Sequence, residues 1–204
     1  MILRVVSGRI PSGRRQSVTA ALERHYVPRV ESPDGPERYL VAIRPVDGPD
    51  DEHEIAFMTL WMDFDAASRA FDGQLSALRL LDGVDHGEIL EHVEYYEVEI
   101  GETRVAPGRP RFLRLTAGTV GRGLDADIQR DLRSRLGELG PEVVDAYIGR
   151  RVKGSLVEIG FISTWTDAVP AAQLEEPIWP DISEQYDAFS LGVFGVLLEG
   201  SKTR

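Results

Sequence analysis

The pattern of hydrophobic and polar residues divides the chain into eight predicted strands and four predicted helices. Short runs rich in β-branched and aliphatic residues end at turns containing Gly or Pro, which is typical of strands. Between them, apolar residues recur every three or four positions, as on one face of a helix. The elements predicted in the first half are a strand at 3–10, a helix at 14–29, strands at 38–46 and 54–63, a helix at 65–81 capped by Asp65, and a strand at 92–101.

The second half repeats this order of elements. They are a strand at 112–120, a helix with an apolar stripe formed by Leu124, Ile128, Leu132 and Leu136, strands at 143–152 and 156–166, a short helix at 182–189 and a strand at 191–199. Each half is therefore β-α-β-β-α-β, the split βαβ arrangement of ferredoxin-like folds. We expect one half at 1–101 and another at 111–204, joined by a Pro- and Gly-containing linker at 102–110.

Similar segments in the two halves indicate an internal duplication. The sequence FMTLWMD at 57–63 has a counterpart in FISTWTD at 161–167, and LRVVSGRI at 3–10 has one in LRLTAGTV at 113–120. The two pairs occur in the same order in both halves. Repetition in fixed order is how a duplicated unit is recognised in a sequence.

The third predicted strand is apolar on both faces. One face carries Ile55, Phe57, Thr59 and Trp61, and the other carries Ala56, Met58, Leu60 and Met62. A strand that is apolar on both sides is covered on both sides. The helices of a ferredoxin-like half cover one face of its sheet, so the simplest cover for the other face is the second sheet. The sequence thus predicts an α+β protein with two ferredoxin-like halves packed sheet to sheet as a pseudo-dimeric α/β barrel.

Composition narrows the classes of function. The net charge of −11 over 204 residues argues against binding nucleic acid or an anionic membrane surface, both of which require clustered cationic side chains. The absence of cysteine excludes disulfides and thiolate chemistry. Neither a signal peptide nor an apolar stretch of membrane-spanning length is recognisable, so we expect a cytoplasmic protein.

The segments TLWMDFDAASRAF at 59–71 and STWTD at 163–167 carry a resemblance to a known family. In their β-α-β-β-α-β context they resemble the antibiotic biosynthesis monooxygenase (ABM) domain of the dimeric α/β-barrel superfamily. Members are usually dimers of single domains, so the resemblance implies a fused pseudo-dimer that is a monomer or a homodimer. It also implies an ABM-like monooxygenase acting on a small hydrophobic or aromatic molecule.

The haem-degrading members of this family use a residue set that this chain lacks. They use an Asn on the first strand together with a Trp and a His on the second helix. Here the first-strand position falls on Ser7 or Gly8, the chain contains no Asn, and the helix at 65–81 has neither Trp nor His. We therefore expect no haem degradation, no bound cofactor and no metal, and the catalytic residues stay unknown. A non-catalytic small-molecule-binding or structural module of the same fold is the alternative.

Candidate ligand-binding residues come from the strands that carry the tryptophans and from their neighbours. They are Trp61, Thr59, Tyr39 and Ser7 in the first half and Trp165 and Ser163 in the second. Alternation along a strand places the hydroxyl residue and the tryptophan of each pair on one face. A tryptophan offers a broad apolar wall and one N–H donor. The alternative is that both tryptophans are ordinary core residues. If they line a ligand site, we expect a larger cavity beside Trp61 than beside Trp165.

Other polar groups carry weaker signals. The four histidines, His25, His53, His86 and His92, form no metal-binding motif, although a lone axial histidine for haem stays open. The sequence Gly121-Arg122-Gly123 before a helix is better interpreted as a turn than as an anion site, because it lacks a third glycine or a P-loop lysine.

Overall fold

The computed structural model describes residues 1–47, 51–70, 92–103, 109–166 and 187–202. The chain forms two units, one comprising Met1–Tyr95 and Val196–Arg204 and the other comprising Tyr96–Gly195. The domain boundaries inferred from the sequence stay a prediction. No helix within the described ranges is both long and apolar enough to cross a membrane.

The first unit is built on three antiparallel strands and a helical run. Strand β3 (Glu52–Trp61) lies between β1 (Ile2–Pro11) and β2 (Arg38–Pro45). The helical run begins with a 3₁₀ turn at Ser12–Arg14 and continues as α1 (Arg15–Ala21), a π-helix (Leu22–Tyr26) and α2 (Val27–Val30). A further helix, α3, is described over residues 64–70.

The helical run packs on one face of this sheet. Alternation along β1, β2 and β3 places every second side chain on that face. The buried residues that form this core are Val6, Ile10, Val18, Leu22, Tyr26, Val30, Tyr39, Val41, Ile43, Ile55 and Phe57. The other face of β3 is also buried, at Ala56, Met58 and Leu60. The expectation that this strand is covered on both sides is therefore correct, except that Met62, just beyond the strand, is exposed.

The second unit repeats the arrangement. Strand β7 (Leu156–Trp165) lies between β5 (Phe112–Gly121) and β6 (Val143–Lys153). Helix α4 (Asp125–Arg135), followed by a 3₁₀ turn at Leu136–Glu138, covers one face. The buried core there consists of Val120, Ile128, Leu132, Leu136, Leu139, Val143, Ala146, Ile148, Val157, Ile159, Phe161 and Trp165.

Two long strands, β4 (His92–Thr103) and β8 (Asp187–Ser201), complete the fold. The hydrogen-bonded strand order is closed: β1-β3-β2-β8-β5-β7-β6-β4. Each half keeps the ferredoxin-like order, β4-β1-β3-β2 in the first and β8-β5-β7-β6 in the second. The predicted fold class, α+β with two ferredoxin-like halves in a pseudo-dimeric barrel, is confirmed.

Three local predictions were wrong. Residues 187–189, predicted to end a short helix at 182–189, belong instead to strand β8, and residues 182–186 of that predicted helix lie outside the described ranges. The N-cap of α3 is Asp63 rather than Asp65, because the Asp63 carboxylate accepts a 2.7 Å hydrogen bond from the Ala66 N–H. Leu124 precedes α4 and is 58% exposed, so the buried stripe starts at Ile128.

Candidate functional site

Each tryptophan of the duplicated motif is bonded to the hydroxyl residue two positions earlier on its strand. In β3, Trp61 Nε1 donates to Thr59 Oγ1 at 2.9 Å. In β7, Trp165 Nε1 donates to Ser163 Oγ at 2.8 Å. All four residues are buried. The indole N–H groups are therefore engaged within the protein, in the same way in both halves.

A buried arginine, which the sequence reasoning did not single out, lies beside Trp61. Arg4 on β1 faces Thr59 across the strand ladder and is only 1% exposed. Its guanidinium carbon lies 5.3 Å from the centre of the Trp61 ring, and its Nη1 donates to the Ala67 carbonyl on α3 at 2.8 Å. The available sequence signal was the Leu-Arg pair near the start of the two matching strands, and Arg114 is equally buried in the second half.

Other aromatic side chains interact with Arg4 or pack against its neighbours. The Phe64 ring lies 5.1 Å from the Tyr95 ring, and the Tyr95 hydroxyl hydrogen-bonds to Arg4. Tyr26 lies near enough to interact electrostatically with the guanidinium. We call Arg4, Tyr26, Trp61, Phe64 and Tyr95 the Arg4 cluster. Within it, burial lowers the pKa of Arg4, and the neighbouring tyrosines partly oppose that shift.

The hydroxyl of Tyr26 is the unusual group in this cluster. It is buried and makes no hydrogen bond within the described part of the chain. Burial raises the pKa of Tyr26 and the Arg4 charge opposes this, so the hydroxyl stays protonated near neutral pH. A buried hydroxyl without a partner costs about 1–3 kcal/mol. This position therefore offers a donor and an acceptor on which the charge of a buried cation acts.

The remaining first-half candidates lie apart from Trp61. Tyr39 is on the same face, opposite Thr59, but its hydroxyl donates to Glu31 Oε1 at 2.8 Å and its ring borders a cleft at the end of α2. Burial and the Glu31 carboxylate raise the pKa of Tyr39. Ser7 pairs with Ala56 and so lies on the opposite face of the sheet. The structure thus brings Thr59 and Trp61 together and separates Ser7 from them.

The cleft beside Tyr39 has a volume of about 530 Å³. Residues from the end of α2, the following loop and the end of β8 line it, and Trp61 is not among them. The expectation of a larger cavity beside Trp61 than beside Trp165 stays a prediction.

The second unit contains a buried charged group that sequence reasoning missed. Glu158 on β7 accepts from the Tyr96 hydroxyl at 2.6 Å and from Arg151 Nη2 at 2.7 Å, and it lies 2.6 Å from Lys153 Nζ. Burial alone raises the pKa of a carboxyl group, but the bonds from Lys153, Tyr96 and Arg151 outweigh it, so the pKa of Glu158 lies below its ordinary value. We call these four residues the Glu158 cluster.

A pair of glycines makes room for the Tyr96 ring in the Glu158 cluster. Gly149 and Gly160 face each other across β6 and β7. A Cβ atom at Gly149 would lie 2.6 Å from Tyr96 Cβ, and one at Gly160 would lie 3.1 Å from Tyr96 Cε1. The two glycines were the sequence signal that could have indicated space for a ring. Their pairing can be recognised only when the strand register is known.

The other polar candidates have structural explanations. Gly123 has a φ of +100° and its N–H donates to Asp125 Oδ1 at 3.1 Å, so the turn amide is occupied, in agreement with the interpretation as a turn. Arg150 donates to the other Asp125 oxygen at 2.8 Å, and this bond lowers the pKa of Asp125.

The described residues contain no group of three or more His, Asp or Glu side chains that could hold a metal ion.

The closed antiparallel strand order with ferredoxin-like halves defines a fold of the dimeric α/β-barrel type, formed here by one chain. A candidate monooxygenase from Fusobacterium nucleatum has this fold, with a TM-score of 0.67 at 14% identity over 98% of this chain and 94% of that one. A candidate monooxygenase from Lactobacillus acidophilus gives a TM-score of 0.58 at 10% identity, over 98% and 96% of the two chains.

An anthrone oxidase-like protein also shares the fold, with a TM-score of 0.55 at 14% identity over 100% of this chain and 94% of that one. No family model matches the sequence, and no curated protein does. At identities of 10–14% the comparisons show a common fold.

Proposed function

We propose that this chain is an ABM-like monooxygenase that oxidises a small, flat, hydrophobic or aromatic molecule with O₂, bound at the Arg4 cluster. The observation that carries this proposal is the buried Tyr26 hydroxyl, which has no hydrogen-bond partner in the described part of the chain and interacts electrostatically with the buried Arg4 guanidinium. In this proposal an oxygen of a bound phenol or enol accepts hydrogen bonds from both groups. The rings of Trp61, Phe64 and Tyr95 would contact its flat apolar faces.

The chemistry requires a negative charge on the substrate oxygen. A phenol or enol that loses a proton becomes electron-rich enough to transfer an electron to O₂. The carbon–oxygen bond then forms and water leaves, so that a CH₂ group and O₂ give a C=O group and H₂O. A cation beside the oxygen favours the ionised substrate. In this proposal Arg4 holds that oxyanion, and Tyr26 donates a second hydrogen bond to it.

The likeness in fold to candidate monooxygenases and to an anthrone oxidase-like protein supports this function. Exposed apolar side chains support the location. Phe64 is 51% exposed, and the neighbouring Met62 is also exposed. In the proposal, a hydrophobic substrate enters past these two side chains.

Anthrone is the first probe, with a panel of phenols and hydroquinones beside it. We expect O₂ uptake with formation of anthraquinone. Tyr26→Phe should lower kcat/KM about tenfold or more without loss of stability, because it removes a hydroxyl that is unpaired in the free protein. Arg4→Met should lower it about a hundredfold. The matched controls are Tyr147→Phe and Arg114→Met, which change buried residues of the second unit.

Two results would contradict the proposal. One is O₂ uptake with every probe no faster than with heat-denatured protein. The other is an equal loss of activity in Arg4→Met and Arg114→Met while both variants stay folded.

A non-catalytic binding or structural module is the second candidate function. It is favoured by the matching Trp–hydroxyl bonds of the two halves and by the bond from Arg4 to the Ala67 carbonyl, which a purely structural role explains. In that case Trp61→Ala and Trp165→Ala should each lower the free energy of unfolding by about 3–5 kcal/mol. If Trp61 lines a ligand site instead, Trp61→Ala should also abolish ligand binding, measured by titration.

We infer a cytoplasmic protein that is a monomer or a homodimer and uses neither metal nor cofactor. Size-exclusion chromatography with light scattering tests the oligomeric state, and the absorption spectrum of the purified protein tests for haem.

A further inference from the structure

The cleft beside Tyr39 is lined by no residue of the Arg4 cluster, and its volume of about 530 Å³ lies in the range of small-molecule sites. Val30, Pro33 and Pro36 supply apolar walls, and the Tyr39 ring lies among them. Part of the cleft lining is therefore apolar, which suits a small molecule with one apolar end.

Gly200 fixes the position of the Tyr39 ring. A Cβ atom at Gly200 would lie 2.4 Å from Tyr39 Cε1, so the ring packs directly on the β8 backbone. The Tyr39 hydroxyl is held by Glu31. This aromatic wall is thus fixed at both ends, which reduces the cost of ordering it when a ligand binds.

The charges around the cleft favour a cation. Glu31 lies on its wall, and among described residues its side chain accepts a hydrogen bond only from Tyr39, through Oε1. The helical run that begins at Ser12 ends at Val30, so the negative end of the helix dipole lies beside the cleft. Lys202 is the cation on the lining, and its Nζ lies 3.5 Å from Glu37 Oε1, which offsets its charge.

We propose that this cleft binds a small organic cation, an ammonium group attached to a compact apolar or aromatic body. The ammonium donates to the Glu31 carboxylate near the end of α2, and the apolar body packs against Val30, Pro33, Pro36 and the Tyr39 ring. The site lies outside the Arg4 cluster and does not depend on the oxidation proposed above.

Benzylamine, benzyl alcohol and benzoate are the probes, because they share a ring and differ in charge. Amide NMR shifts of ¹⁵N-labelled protein are followed during titration up to about 10 mM, which detects the millimolar affinities expected of ligands this small. We expect saturable shifts in residues 30–39 and 199–202 with benzylamine, weaker binding of benzyl alcohol, and no binding of benzoate.

The test variant is Glu31→Gln, and its matched control is Glu23→Gln. Both positions are exposed and lie on or just after the same helical run, so the two changes alter net charge equally. Glu31→Gln should weaken benzylamine binding about tenfold or more, the effect of losing a charged hydrogen bond, and Glu23→Gln should leave it unchanged. The proposal is overturned if benzylamine gives no saturable shifts in the cleft, if benzoate binds as well as benzylamine, or if both variants weaken binding equally.

Discussion

The same cross-strand pair of an arginine and a glutamate occurs in both units, with different surroundings. In the first unit, Arg44 Nη2 lies 2.6 Å from Glu54 Oε2, and the two side chains are 36% and 25% exposed. In the second unit, Arg151 lies 2.7 Å from Glu158, and the exposures are 18% and 0%. The register of the two ladders places the pairs at matching positions, opposite each other on neighbouring strands.

The residues beside the two pairs account for the difference. In the first unit, Ala42 and Ala56 face each other next to the ion pair. In the second unit, Gly149 and Gly160 occupy those positions, and the space left by two missing methyl groups holds the Tyr96 ring, whose hydroxyl binds Glu158. In this protein the ion pair beside the two alanines stays partly exposed, and the ion pair beside the two glycines is buried under the Tyr96 ring.

The largest expected effect comes from removing each glutamate. Glu158→Ala leaves Arg151, Lys153 and the Tyr96 hydroxyl without their common acceptor, and we expect it to lower the free energy of unfolding by about 3 kcal/mol. Glu54→Ala changes net charge equally but breaks a pair in contact with water, so it should cost less than about 1 kcal/mol. Urea denaturation of both variants measures the difference. Equal losses would show that burial does not distinguish the two pairs.

The glycine pair gives a smaller expected effect. Gly149→Ala places a methyl group against Tyr96 Cβ and should cost about 1–3 kcal/mol. Gly160→Ala should cost less, because its contact is with the edge of the ring. The matched control in the first unit is Ala42→Gly. It should lower the free energy of unfolding by about 1 kcal/mol or less, because glycine loses more backbone entropy on folding. If Gly149→Ala is neutral in thermal unfolding, the Tyr96 ring does not require the space.

The smallest expected effect is a pH dependence carried by Glu158. Its folded pKa lies below the ordinary value of 4.5, so it stabilises the folded state above pH 4.5 and loses that contribution as pH falls through the folded pKa. The difference in free energy of unfolding between wild type and Glu158→Gln should therefore be complete at pH 7 and shrink below pH 4.5. A difference that stays constant down to about pH 3 would be inconsistent with a lowered pKa.

Much of the fold was predictable because it is encoded locally. The apolar residues at successive positions before Trp61 predicted that both faces of β3 are buried. The matching segments around Trp61 and Trp165 predicted that the ferredoxin-like order occurs twice. The candidate site was less predictable. Thr59 and Trp61 were placed together from strand periodicity, but Ser7 lies on the other face, because the side on which a residue of β1 lies is set by its pairing with β3.

The sequence by itself determined the order of strands and helices, the duplication and the acidic surface charge, because these follow from hydrophobic periodicity and composition. Only the tertiary structure decided which polar residues are buried. Arg4 and Glu158 are charged residues that lie within strands. The burial of Arg4 depends on Ala67, which is 63 positions away, and the burial of Glu158 depends on Tyr96, which is 62 positions away. Contacts over such separations depend on strand register and helix packing, which no local pattern encodes.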